Sequence, residues 1–140
     1  GLYGNGWGDL ADGETYYDWA MTHALIANAK IVIGDMQFPD AEAYVSNRFF
    51  NTLYAGALHL QQHIPNFEAR TGIVEGTHYA EWHTFEDLPE RIAYFMENSK
   101  ERNRIKRNGK RLAQKHHTYT ARLRQIFGEV LPMVSEKVMA

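Results

Sequence analysis

Two stretches of this 140-residue chain put polar groups where a folded backbone could present them to a ligand. Ser46-Asn47-Arg48 closes a loop that opens at Gly34-Asp35, and a Gly-free, Pro-free run follows it. The first turn of a helix carries unpaired N–H groups and a partial positive charge, so it binds anions, phosphate most readily. Ser46 would add a hydroxyl and Arg48 a forked, fully charged donor set. From these residues alone the plainer reading is a capped helix with Arg48 turned to water. Gly4-Asn5-Gly6 is the second stretch, since two glycines permit close backbone approach to a ligand. It lacks the third glycine of a dinucleotide fingerprint, so an ordinary turn is its plainer reading.

The seven histidines invite metal and acid–base chemistry. His59 and His63 are four apart, but a strand before them and Pro65 after them argue against one shared helix face, and no metal site is expected. His59 could serve as a base at a strand end; a packed histidine is the plainer reading. His23 reads as core-edge, and His116-His117 as a cap or packing element. No nucleophile elbow and no P-loop is present. No cysteine is present, which excludes disulfides, thiolate metal sites and a cysteine nucleophile.

The elements that would hold these groups alternate in type. Glu14 to Asn28 predicts a helix with Trp19, His23, Ile26 and Ala27 on its buried face. Ile31-Val32-Ile33 predicts a strand buried on both faces. Ser46 caps a helix to about Tyr54, with Gly56 as its C-terminal glycine. Ala57 to Leu60 predicts the next strand, Pro65 to Arg70 a short helix, and Ile73-Val74 and His78 to Trp82 further strands. Thr84 and Asp87 have capping-box spacing for a helix to about Glu97. Ser99 caps a helix to about Lys115 whose buried side is Ile105, Leu112 and Ala113. Thr118 caps a last one to about Leu131, with Leu123, Ile126, Phe127 and Val130 along one side. Buried strands alternating with helices predict an α/β fold, a Rossmann-like parallel sheet flanked by helices. Ligands of such sheets sit outside the carboxyl ends of the strands, which selects the loops Gly4–Trp7, Gly34–Ser46 and His59–Glu68.

Length and composition fit a single domain over residues 1–140, with 44% hydrophobic and 23% charged residues. No apolar run approaches the ~20 residues of a membrane helix. The start has no secretory pattern, and a cytoplasmic protein is expected. The net charge of −2 hides −10 over residues 1–99 and +8 over 100–140. The basic stretch has little aromatic interleaving, so a solvated helix is expected and a nucleic-acid partner is not. The chain begins without Met, and Leu2-Tyr3 reads as the end of a strand, so it is expected to be the tail piece of a longer protein.

Four blocks in order resemble the C-terminal, donor-binding domain of GT-B glycosyltransferases, closest to the CgeB-like group. They are NAKIVIGD, SNRFFNTLYAGALHL, GTHYAEWHTFEDLPERIAYFMEN and SKERNRIKRNGKRLAQKHHTYTARLRQI. The resemblance implies a nucleotide-sugar as donor substrate and no other cofactor or metal. It implies that Ser46, Asn47, Arg48 and Asn51 face the donor and its diphosphate, with Gly4, Gly6 and Gly34 near the nucleotide. The family usually has Glu where this chain has Asn51. An amide cannot supply charge there, so a non-catalytic binding or assembly module is the alternative to an active transferase. The acceptor domain is absent from these residues, and an incomplete sheet implies possible self-association.

Overall fold

The computed structural model describes Asp9, residues 19–36, Phe38 and residues 41–130, the last two without their side chains. The expected strand at Leu2-Tyr3, the turn containing Gly4 and Gly6, and the first residues of the Glu14–Asn28 helix lie outside the described residues. The elements are α1 (Trp19–Asn28), β1 (Ile31–Gly34), α2 (Asn47–Ala55), β2 (Leu58–Gln62), α3 (Phe67–Thr71), β3 (Ala80–Trp82), α4 (Leu88–Glu97), α5 (Ser99–His116), α6 (Tyr119–Gln125) and a π-helical turn at Ile126–Val130. The strands form one parallel sheet in the order β1-β2-β3, with Ile31 opposite Leu58 and Leu60 opposite Ala80. This is the α/β class expected, a parallel sheet flanked by helices. Among the described residues, no helix is long and apolar enough to cross a membrane.

Side chains alternate across a strand, and here the alternation separates two cores. Leu58, Leu60, Ala80 and Trp82 face Phe95 of α4 and Ile105 of α5. On the other face Phe49 and Leu53 of α2 pack with Ile64, Phe67, Ile73 and Tyr79. Phe49 is fully buried and meets Phe67 and Tyr79 edge-on, each at 5.3 Å between centroids. The α2 face also buries polar groups, namely Thr52, His59, Gln61 and Glu81.

Helix α5 joins the two cores at the amino-terminal edge of the strands. Its buried residues are Arg102, Ile105, Gly109 and Ala113, with Leu112 half-buried. A Cβ at Gly109 would fall on the His78 carbonyl and Leu53 Cδ2, so the missing side chain is what lets α5 cross there. Arg102 is a buried charge; its guanidinium donates to the carbonyls of Phe95 and Met96 and so closes the end of α4.

Several local expectations change. Strand β1 ends the described sheet, and only Gly34 is buried in it, because Ile33 is on an outer position and exposed. Helix α1 buries no residue; Trp19, at the predicted inner face, is 77% exposed. Ile73-Val74 forms no strand, and a single bridge between Glu75 and Tyr79 stands there instead. Asn98, not Ser99, takes the cap position of α5. Thr118 does cap α6, its Oγ1 accepting from Ala121 N at 3.1 Å, but the helix changes to π geometry at Ile126, and Leu123, Ile126 and Phe127 are exposed.

Candidate functional site

The β1–α2 connection carries the strongest chemical grouping. Strand β1 delivers Gly34 and Asp35 to the carboxyl edge of the sheet, and the chain returns into α2 at Asn47. Ser46 holds extended backbone and its carbonyl accepts from Phe49 N at 3.0 Å. Its hydroxyl makes no capping bond, so the hydroxyl stays available at the helix start. The other end closes as expected, with Gly56 at φ +89° and its N–H donating to Thr52 and Leu53.

Ser46, Asn47, Arg48 and Asn51 are all exposed. Arg48 reaches Asp35 Oδ1 at 3.2 Å, with both side chains more than half in solvent. An exposed single-contact pair of this kind is worth little, about 0–1 kcal/mol. A phosphate could therefore exchange for Asp35 at small cost. Asn47 and Asn51 are one turn apart and line a cavity of about 500 Å³ with Phe50 between them.

The far wall of that cavity comes from the end of α5 and from α6. His117, Tyr119 and Arg122 close it, with Trp19 from α1. His117 stacks on Phe50 at 4.7 Å and 22°, and Arg122 donates to His117 Nδ1 at 2.7 Å. Burial first, and then the charge of Arg122, lowers the His117 pKa to about 4. The neutral ring is thereby kept as an acceptor that aims Arg122. His117 is thus the packing element expected, and it also builds the cavity wall. Sequence reasoning missed Tyr119 and Arg122 as lining residues, although both lie in the HTYTAR segment quoted among the four blocks.

Gly34 has a different environment from the one expected. It is buried, and a Cβ there would collide with Gln61 Oε1 and His59 Nε2. Its carbonyl accepts from Trp82 Nε1 at 3.0 Å. The space above Gly34 is thus filled by side chains of β2. His59 is buried against Phe49, bonds Gln61 Oε1 at 2.9 Å, and has its pKa lowered to about 4 by burial. It packs and does not face the edge as a base would. His23 is exposed, near Tyr54, and not at the core edge.

A second grouping was not expected. His63, Glu81 and His83 bring their ligand atoms within 4.8 Å of one another at the carboxyl ends of β2 and β3. Spacing along the chain could not reveal it, because strand pairing assembles it.

The profile of the Glycosyl transferase-like family matches residues 1–128. No curated protein and no solved structure matches the chain. The family match covers the β1–α2 connection, the cavity beside it and the whole parallel sheet, so the chain belongs to the Glycosyl transferase-like family.

Proposed function

We propose that the chain is the nucleotide-sugar-binding part of a GT-B glycosyltransferase of the CgeB-like kind, corresponding to the C-terminal domain. The donor's diphosphate sits at the amino end of α2. The observation that carries this reading is the open first turn of α2, where Ser46 lacks a capping bond and Arg48 makes one exposed contact to Asp35. Asn47 and Asn51 extend the polar face into the cavity that Arg122 borders. By the resemblance, Gly4 and Gly6 are assigned to the nucleotide; Gly34, covered by Gln61 and His59, would lie near it without touching it.

During transfer the bond from the sugar's anomeric carbon to the diphosphate oxygen breaks, and a bond to an acceptor oxygen forms. The leaving diphosphate gains negative charge. Fixed N–H dipoles and the Arg48 guanidinium oppose that charge without reorganising, which favours the transition state over the ground state. The acceptor hydroxyl and the base that takes its proton belong to the other domain of a GT-B enzyme.

Asn51 supports a second reading, a binding or assembly module without transfer. It faces the cavity at the position where the resembled family has Glu, and it can offer donor hydroxyls only an uncharged acceptor.

Thermal unfolding with a panel of nucleoside diphosphates and nucleotide-sugars tests donor binding. A ligand that binds only the folded state raises the midpoint. A base-selective rise that disappears in Arg48→Ala is expected. Equal midpoints with and without every ligand, in a chain that melts cooperatively, would contradict it. Asn51→Glu in the full-length protein separates the two readings: increased turnover supports the transferase, and none favours the module.

A further inference from the structure

The two histidines and the carboxylate at the ends of β2 and β3 belong to no part of the donor site and share no residue with it. Glu81 lies on β3 with its side chain only 10% exposed. One of its oxygens, Oε1, accepts from Tyr79 Oη at 2.5 Å. The other oxygen, Oε2, is left to face His63 Nδ1 at 2.7 Å. The Tyr79 bond thus orients the carboxylate, as outer hydrogen bonds orient ligating carboxylates, and leaves Oε2 beside the imidazole.

The histidine backbones are held as firmly. His63 N donates to the Trp82 carbonyl at 2.8 Å, which ties the end of β2 to the end of β3. His83 N donates to both Asp87 carboxylate oxygens, at 3.2 and 3.0 Å. Their rings stack at 4.8 Å and 25° and are exposed. Near-parallel rings do not aim their in-plane lone pairs at one point. Both residues are exposed, so metal binding would have to turn the rings from this stacked arrangement.

Among the described residues, carboxylates outnumber the one guanidinium around the cluster. Arg91 donates from Nε to the Glu81 carbonyl at 2.9 Å, and its other arm pairs with Glu75 at 3.4 Å. Glu75, Glu81, His83 and Arg91 line a cavity of about 380 Å³ beside the cluster, open to a metal's remaining ligands.

We infer that His63, Glu81 and His83 form a binding site for a borderline transition-metal dication, zinc foremost. Two imidazole nitrogens and one carboxylate oxygen, completed by water, match the donor set of three-ligand zinc sites. With bonds of about 2.0–2.1 Å, the His63–Glu81 separation opens beyond its present hydrogen-bonded length.

The test is equilibrium dialysis of the full chain against zinc chloride, with magnesium chloride as control and unfolding curves to show that each variant folds. One zinc per chain with micromolar affinity is expected, and no magnesium. His63→Ala and His83→Ala should each weaken binding by about tenfold or more. Both positions are exposed, so folding should persist. Tyr79→Phe should weaken binding less, through loss of the bond to Glu81. Less than one zinc bound in ten chains at excess metal would overturn the inference. So would zinc binding that survives unchanged in both histidine variants.

Discussion

Gly34 and His59 illustrate how one buried polar pair fixes the residues beside it. The imidazole and the Gln61 amide lie over the Gly34 Cα, and no side chain fits between them. Gly34→Ala should therefore destabilise the protein by about 1–3 kcal/mol, as overpacking does, measurable by denaturant unfolding. His59 also makes stability depend on pH. Its folded pKa of about 4 lies below the ordinary 6.5. Between those values the unfolded chain binds more protons, so stability is full above pH 6.5 and falls as pH drops toward 4. His117 acts with the same sign. His59→Gln should flatten, though not abolish, the fall in melting temperature over that window. An unchanged slope would mean that His59 is not buried in its neutral form.

At the scale of elements, the β1–α2 and α2–β2 connections were legible because their chemistry is local. Ser46 opening the helix and Gly56 closing it in the left-handed region follow from helix-end geometry. The faces of α1 and of the last helix were not legible. An apolar stripe says that a face wants cover but not whether a neighbour covers it, and Trp19, Leu123, Ile126 and Phe127 are exposed. Helix α5 gives the sharpest element-level prediction. Helix propensity alone makes Gly109→Ala favourable by about 1 kcal/mol. The crossing with His78 and Leu53 reverses that sign, and the variant should unfold at lower denaturant. Thr118→Ala should cost about 0.5–2 kcal/mol by removing the cap of α6. Because α6 carries Arg122 and Tyr119, loosening it should also open the cavity beside Asn47 and Asn51.

Across the whole molecule, charge and topology divide the labour. In the basic stretch, buried Arg102 closes α4, while Arg104 pairs with Glu101 at 2.7 Å and Arg122 meets His117 on the surface. That the sheet is parallel was readable from strands alternating with helices; the order of its strands was not read. The convergence of α2, α6 and α1 on one cavity, and of His63, Glu81 and His83 on one sheet edge, was not. These are contacts between segments far apart in the chain, and one sequence holds no signal for which distant residues meet.

We propose that the first turn of α2 holds a diphosphate. The most direct measurement is amide NMR of the isotope-labelled chain titrated with a nucleoside diphosphate chosen from the unfolding panel, beside its bare nucleoside. The largest diphosphate-specific shifts should fall on the amides of Asn47, Arg48 and Phe49, with the Arg48 side chain leaving Asp35. Diphosphate-specific shifts confined to other segments, with those three amides unmoved, would contradict the account.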